Sequence, residues 1–137
     1  MTDKRISLEI VTPEKKIYSA DVYYLHAPAM VGGIGIYPRH TPIVTALDVG
    51  ELSVDSGDGK QEIFFISGGF LDVCDDKAVV LAKSAERSED IDVVRAEKAK
   101  ARAEERLANP APDFDALRAE LALKRAILRI KIAKTEK

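Results

Sequence analysis

The chain has 137 residues, of which 46% are hydrophobic and 32% charged, and its formal net charge is −2. This composition predicts a soluble globular protein, and the lack of a strongly basic balance argues against a nucleic-acid partner. A single cysteine, Cys74, excludes an intrachain disulfide and favours a reducing compartment. No apolar run reaches the roughly 18 residues needed to span a bilayer, so we expect no direct membrane insertion.

The composition changes near residue 84. All 8 glycines lie between Gly32 and Gly69, and 7 of the 8 aromatic residues lie between Tyr18 and Phe70. Beyond residue 84 the chain is dominated by Ala, Glu, Lys, Arg and Leu. This pattern predicts strands and turns followed by helices.

The first half predicts many short strands separated by turn residues. The segment 6–12, ISLEIVT, alternates apolar and polar residues as a half-buried strand does, and Pro13 ends it. Glycines at position 50 and at positions 68 and 69 are expected to break later strands. Short strands at close spacing favour an antiparallel sandwich or barrel. The predicted elements are a strand at 17–27, turns around a very short strand at 32–42, strands at 43–49 and 51–54, a hairpin at 54–67 with its turn at 56–59, and strands at 70–76 and 77–85.

The second half predicts two helices. Ser88 is a plausible N-cap for the first, which should run to about Leu107. The prolines of NPAPD, residues 109–113, stop that helix, and Asp113 can cap a second one that runs to about Ala133. So short a linker makes the helices antiparallel neighbours.

The predicted contact between these helices is rich in alanine, which brings two helices close but buries little apolar area. At about 25 cal/mol per Å² of buried apolar surface, such a hairpin is only marginally stable alone, so a ligand or partner should hold it. The positions are Ala96, Ala99 and Ala103 on the first helix, and Ala119, Leu123, Ala126 and Ile130 on the second.

Together these elements predict an α+β chain in two segregated parts. An N-terminal antiparallel β-sandwich occupies residues 1–86, and a C-terminal antiparallel two-helix hairpin occupies residues 87–137.

The spacing of four arginines suggests a site on the hairpin. Arg95 and Arg102 are seven residues apart, and Arg125 and Arg129 are four apart, so each pair shares a helix face. Folding about the linker brings Arg95 opposite Arg125, where like charges repel unless an anion lies between them. The alternative is that these arginines pair with acids and stay solvated. The acids available are Asp92, Glu105 and Glu120.

Four segments, in order along the chain, resemble one family: the epsilon subunit of the F-type ATP synthase, called delta in mitochondria. They are LEIVTPEKKIYSADV at 8–22, GIGIYPRHTPIV at 33–44, SGGFLDV at 67–73, and the helical tail with IDVVRA at 91–96 and AELALKRAILR at 119–129.

This resemblance implies a non-catalytic rotor subunit. Its sandwich would bind the gamma subunit and the ring of c subunits. Its helical tail would fold against the sandwich, or extend along gamma to the alpha and beta subunits and inhibit ATP hydrolysis. The two-helix tail and the lack of a transit-like leader favour a bacterial protein, peripheral at the cytoplasmic face of the plasma membrane.

The resemblance also implies a nucleotide site. Some bacterial members bind ATP, with or without Mg²⁺, as a regulatory ligand through a motif that here reads Ile91 to Ala96. No Walker-type glycine loop is present, so we expect no hydrolysis by this chain. By resemblance the contacts would come from Glu86, Asp92 and Arg95, with Arg102, Arg125 and Arg129 around the phosphates, and with Ile91 and Ala96 completing the motif.

Two other classes of function fit the composition. One is a non-enzymatic adaptor outside ATP synthase, and the other is a small enzyme, although His26, His40 and Cys74 have no partners at catalytic or metal-binding spacing. Within the family interpretation, ATP and acidic segments of alpha and beta would compete for Arg125 and Arg129.

Overall fold

A computed structural model describes residues 4–57 and 59–135. The chain divides into two compact units, Met1–Arg87 and Ser88–Lys137. The first unit is built of strands and the second of helices, which confirms the predicted segregation.

Within residues 4–57 and 59–87, the first unit has eight strands in one hydrogen-bonded sheet of order β2-β1-β7-β6-β5-β3-β4, with β8 paired to β6. The N-terminal strand confirms the alternating pattern, since Ile6, Leu8 and Ile10 are all buried. The strands are β1 (Ile6–Val11), β2 (Lys16–Val22), β3 (Tyr24–Ala29), β4 (Gly32–Ile36), β5 (Ile43–Asp55), β6 (Gln61–Cys74), β7 (Lys77–Ala82) and β8 (Ala85–Arg87).

The sheet folds into a sandwich because β5 and β6 are long, and each contributes one half to each layer. One layer comprises β2, β1, β7 and the paired halves 69–74 of β6 and 43–47 of β5. The other comprises β4, β3, the halves 49–55 and 61–67, and β8. Apolar residues from all eight strands form the core between the layers. One pairing, β1 with β7, is parallel, and the others are antiparallel.

The expected strand breaks at the glycines are wrong, because both long strands continue through them. Gly50 pairs with Ile66 inside the ladder. Gly68 and Gly69 have φ of +105° and +145° and form the corner at which β6 passes from one layer to the other. A Cβ on Gly69 would lie 2.0 Å from the carbonyl oxygen of Leu81, so only glycine allows this close strand packing.

The end of the sheet also differs from expectation. The predicted strand 77–85 is two strands, β7 and β8, because the segment between them turns the same corner as β6. There the amide of Lys83 donates to the carbonyl of Gly68 at 3.0 Å, and that of Ser67 donates to Ser84 at 3.1 Å. The predicted hairpin turn lies between β5 and β6, with Asp58 outside the described residues.

The second unit contains a 3₁₀ turn (Ser88–Asp90) and two helices, α1 (Val93–Ala108) and α2 (Ala116–Thr135), which pack against each other. Both predicted N-caps are wrong. Ser88 heads the 3₁₀ turn, so Asp92 caps α1 instead, and its Oδ1 accepts the amide of Arg95 at 3.0 Å. A turn at 111–114 delays α2, so Asp115 replaces Asp113 and accepts the amide of Arg118 at 3.1 Å.

The buried positions of the helical unit are mostly alanines, as the sequence predicts. Ala99, Leu123 and Ile130 are only half-buried, whereas Ile132 is fully buried and was not predicted. The alanines that are buried are Ala96, Ala103, Ala119 and Ala126.

Candidate functional site

The Ile-Asp-x-x-Arg-Ala segment forms the start of α1, and most of its residues have a structural task there. Ile91 is buried ahead of the helix, Asp92 caps it, and Ala96 is buried one turn later. The side chain of Arg95 is exposed and is the part of the motif left available to a ligand.

The two helices repeat one local pattern: an arginine followed by a buried alanine. On each helix the two copies are seven residues apart, which is about two turns, so the copies on one helix point in nearly the same direction. The copies are Arg95-Ala96 and Arg102-Ala103 on α1, and Arg118-Ala119 and Arg125-Ala126 on α2.

This repeat places the four arginines on one side of the hairpin. Successive residues of an α-helix are about 100° apart around its axis. Two antiparallel helices are related by a two-fold axis perpendicular to the plane of both helix axes. The residue before the buried one is therefore displaced to the same side in both helices. We call Arg95, Arg102, Arg118 and Arg125 the arginine face.

Buried alanines recur at the same spacing on both helices. Ala96 and Ala103 on α1 are seven residues apart, and so are Ala119 and Ala126 on α2. An antiparallel hairpin in which these alanines meet would bring Arg95 level with Arg125 and Arg102 level with Arg118.

The acidic side chains that the structure describes form no ion pair with the arginine face. Within residues 4–57 and 59–135, the guanidinium groups of all four arginines make no hydrogen bond or ion pair. Of the acids that could have paired with them, Asp92 caps α1 and Glu105 accepts the side-chain amide of Asn109 at 3.0 Å. Four positive charges on one surface attract a polyanion.

The remaining candidates lie elsewhere. Arg129 is one turn beyond Arg125 on α2 and already interacts with another group of the protein. Glu86 belongs to the sandwich unit, where it is half-buried in β8 and pairs with Phe65.

The sequence analysis missed Arg118, because it considered only the pairs Arg95 with Arg102 and Arg125 with Arg129. The repeat of Arg-Ala at seven-residue spacing is the signal that identifies it.

An exposed apolar patch covers part of the sandwich's outer surface. Val44, Phe70 and Leu81 are 69%, 56% and 52% exposed. Phe70 pairs with Leu81 on one side and with Ala46 on the other, and Ala46 shares a face with Val44, so the three form one surface. We call these three residues the sheet patch. Contiguous exposed apolar surface is common where proteins bind one another.

A cleft of ≈ 310 Å³ adjoins the sheet patch at Phe70. Asp48, Ser67 and Lys83 supply its polar lining at the corner of the sheet. A second exposed apolar site is the β3–β4 turn, where Val31 is 90% exposed next to the exposed Met30.

The histidines and the cysteine have local surroundings. Nδ1 of His40 lies 2.7 Å from the carbonyl oxygen of Thr41, and the ring of His26 lies against Gly33. Cys74 is exposed, and the neighbouring Asp75 carboxylate raises the pKa of its thiol, which weakens it as a nucleophile. Across the described part of the chain, no group of three or more His, Cys, Asp or Glu side chains could hold a metal ion.

Neither helix in residues 4–57 and 59–135 is both long and apolar enough to cross a bilayer.

Two domain families match the chain in order and together cover most of it. The beta-sandwich domain of the ATP synthase delta/epsilon chain matches residues 5–88. The long alpha-helix domain of the same chain matches residues 89–134.

Individual proteins are similar over nearly the whole length. The ATP synthase epsilon chain of Nitratidesulfovibrio vulgaris strain Hildenborough is 48% identical over 95% of this chain and 96% of its own. That of Desulforamulus reducens is 50% identical over 92% and 95%. Among solved structures, a chain of the Euglena gracilis mitochondrial ATP synthase, in a structure of OSCP, F1 and c-ring, superposes with a TM-score of 0.79. It is 25% identical over 99% of this chain and 87% of its own.

Proposed function

Because this chain belongs to the delta/epsilon chain family of ATP synthase, we propose that it is the regulatory subunit of a bacterial enzyme's central stalk. In this proposal the sandwich docks on the gamma subunit and the c-ring. The helical unit binds ATP as a regulatory ligand, and in an extended form it reaches the alpha and beta subunits and inhibits ATP hydrolysis. The subunit would be peripheral, at the cytoplasmic face of the plasma membrane.

The arginine face carries the ATP-binding part of this proposal. Its guanidinium groups come from both helices and form no ion pair with the acids among residues 4–57 and 59–135. A bound anion would relieve their mutual repulsion only while the hairpin stays closed. A triphosphate offers several oxygens to several guanidinium groups at once. The other predicted contacts, from Glu86 and Arg129, stay predictions.

The same feature suggests how ATP regulates. The contact between the helices is made largely by alanines, so it contributes little apolar burial, and the hairpin can open at modest cost. ATP that bridges α1 and α2 binds the closed hairpin more tightly than the open one, and the ratio of these two affinities sets how far ATP shifts the hairpin toward closure. By the same factor, closure raises the affinity for ATP. Acidic segments of alpha and beta compete for Arg125 and Arg129.

Isothermal titration calorimetry of the full chain with ATP, with and without Mg²⁺, tests the site. Arg125→Ala should weaken binding by about 10- to 150-fold, the equivalent of one hydrogen bond between charged groups. Lys134→Ala is the matched control, since nine residues place Lys134 about 180° around α2 from Arg125. Equal affinity of the unmodified chain and Arg125→Ala would remove the proposed site.

The exposed apolar surfaces support the docking part. The sheet patch lies on the face of one layer of the sandwich, and we assign it to gamma. The β3–β4 turn is a narrow tip, and we assign it to the c-ring. Phe70→Asp should abolish capture of purified gamma and retain binding to the purified c-ring, and Val31→Asp should do the reverse. Full gamma binding by Phe70→Asp would contradict the assignment.

Inhibition is tested on a reconstituted complex of alpha, beta and gamma. Addition of the full chain should lower ATP hydrolysis, and addition of a chain that ends at Arg87 should not. Millimolar ATP should relieve the inhibition in the unmodified chain and less so in Arg125→Ala. The competing adaptor interpretation predicts no effect on hydrolysis in any of these mixtures.

A further inference from the structure

The cleft at the corner of the sheet lies on the same surface as the sheet patch. It has a volume of ≈ 310 Å³, and Phe70 of the sheet patch forms part of its wall. Ala46 and Leu81 belong to the face of the sheet patch, and Asp48 and Lys83 follow them by two residues each, so both continue that face. We call this opening the corner cleft.

Two strands bring Asp48 and Lys83 to opposite sides of Gly68. The neighbours of Asp48 on β5 pair with the neighbours of Gly68 on β6, which places Asp48 opposite Gly68. On the other side, the amide of Lys83 donates to the carbonyl oxygen of Gly68 at 3.0 Å. Gly68 has no side chain, so it leaves an opening between the two charged residues, whose backbones are two strand spacings apart, about 10 Å.

Asp48 and Lys83 supply the polar groups of the corner cleft that can bind a partner. The other polar side chain of the lining, Ser67, is already engaged, since its hydroxyl accepts from the amide and the hydroxyl of Ser84 at 2.9 and 2.8 Å. The carboxylate of Asp48 accepts the amide of Val49 at 2.7 Å, and a carboxylate has room for about four hydrogen bonds. In the part of the chain that the structure describes, the ammonium of Lys83 forms no ion pair.

This pair of opposite charges selects the chemistry of an occupant. A group with a single charge would be attracted by one of the two side chains and repelled by the other. A side-chain amide suits both, because its carbonyl oxygen accepts from an ammonium and its NH2 group donates to a carboxylate.

We propose that the corner cleft binds the side-chain amide of an asparagine or glutamine of the subunit that docks on the sheet patch. The carbonyl oxygen of that amide accepts from Lys83, its NH2 group donates to Asp48, and its aliphatic stem lies against Phe70. This inference rests on the proposed function, in which the docking subunit is gamma.

The position of the corner cleft favours a side chain of the docking subunit as the occupant. The cleft is continuous with the sheet patch through Phe70, so a partner that covers the patch also covers the cleft. Covering excludes water from the two hydrogen bonds and strengthens them, as at the centre of other protein interfaces.

Biolayer interferometry with immobilised gamma measures the affinity of the unmodified full chain and its variants. Lys83→Met removes the ammonium and keeps an unbranched side chain, and Asp48→Asn removes the charge and keeps an oxygen that accepts the amide of Val49. Each change should weaken gamma binding by about 10- to 150-fold, the equivalent of one hydrogen bond to a charged group. Because one amide makes both bonds, the double variant should lose less than the product of the two single losses.

The direction of the two effects identifies the occupant. If a carboxylate of gamma occupied the cleft, Asp48→Asn would remove a repulsion and tighten binding. If a basic side chain occupied it, Lys83→Met would tighten binding instead. Either result would overturn the amide assignment. So would losses that multiply in the double variant, since two separate groups of gamma would then contact Asp48 and Lys83.

Lys77→Met and Asp72→Asn are the matched controls. Lys77 and Asp72 are exposed on β7 and β6 and lie on the face of the sheet patch, but neither lines the corner cleft. Each should change gamma binding by no more than about twofold. Urea unfolding of all four single variants checks that the sandwich remains folded.

The outcomes separate this inference from the proposed function, because Phe70→Asp is measured in the same assay. If Phe70→Asp abolishes gamma binding while Lys83→Met and Asp48→Asn keep full affinity, the amide assignment is wrong and the docking of gamma stands. If the unmodified chain does not bind gamma, both fail.

Discussion

Replacing Gly69 by alanine tests the account of the sheet corner. The added Cβ would lie 2.0 Å from the Leu81 carbonyl oxygen and 2.9 Å from Cα of Ala82. These are backbone atoms of the neighbouring strand, so no change of side-chain rotamer relieves the contact. The φ of +145° at Gly69 adds a separate cost for any L-residue with a side chain.

The two costs can be sized separately. Backbone strain at such a φ costs about 1–3 kcal/mol, and forcing an extra methyl into a packed site costs a further 1–3 kcal/mol, approximately. We therefore expect Gly69→Ala to lower the free energy of unfolding by about 2–6 kcal/mol, against a total of roughly 5–15 kcal/mol for a domain. Gly32 is the matched control, since its φ is +124° and a Cβ there would meet nothing within 4 Å. Gly32→Ala should show only the strain.

Urea unfolding followed by tyrosine fluorescence measures the sandwich alone, because all 4 tyrosines lie between Tyr18 and Tyr37. Circular dichroism at 222 nm follows the helices in the same samples. If Gly69→Ala and Gly32→Ala lower the free energy of unfolding equally, the contact with Leu81 is not what requires glycine at the corner.

Three further changes test other parts of the chain. Asp92→Ala removes the cap of α1 and should lower the stability of the helix by about 0.5–2 kcal/mol, which circular dichroism would detect as a loss of ellipticity at 222 nm. If Ser88→Ala lowered the ellipticity and Asp92→Ala did not, Ser88 would be the cap. Asp75→Asn removes the main cause of the raised pKa of Cys74, so more thiolate forms at mildly alkaline pH and iodoacetamide should react faster with it. An unchanged rate of reaction would contradict this cause. Burial is the main cause that raises the pKa of Tyr18 in the folded protein. The neutral phenol therefore contributes fully to stability below the unfolded pKa of about 10, and this contribution is lost as the pH rises through the folded pKa. Tyr18→Phe should therefore show a smaller fall in unfolding free energy across that alkaline range, and an identical fall would show that the phenol is not responsible.

Local sequence patterns predicted the segregation of strands from helices, the alternation of β1 and the alanine contact of the helices. They failed at the helix starts, where two candidate caps compete within a few residues. Ser88 and Asp92 are both acceptable N-caps by residue type. The choice depends on the 3₁₀ turn that precedes α1, which the propensities of single residues do not report.

The candidate site shows a similar division. The spacing predicted that Arg95 and Arg102 share one face of the first helix and that Arg125 and Arg129 share one face of the second, because helical periodicity is local. Whether acids neutralise that face depends on what else binds those acids. Glu105 accepts from Asn109, and Asp92 accepts from the backbone, so neither serves the arginines. Arg118 joins the face only because α2 packs beside α1.

Residue composition and periodicity alone were enough to establish that a β unit precedes a helical pair, since the tendency to form a strand or a helix depends on residues within a few positions of one another. The pairing of strands depends on contacts between residues far apart in the chain. Only the folded structure could therefore show the parallel pairing of β1 with β7, the corner at Gly68 and Gly69, and the ion pair between Arg87 of β8 and Glu62 of β6. The physical reason is that a glycine in a sequence indicates only a turn. The carbonyl oxygen that leaves no room for a side chain at Gly69 belongs to another strand, so the sequence around Gly69 does not report it.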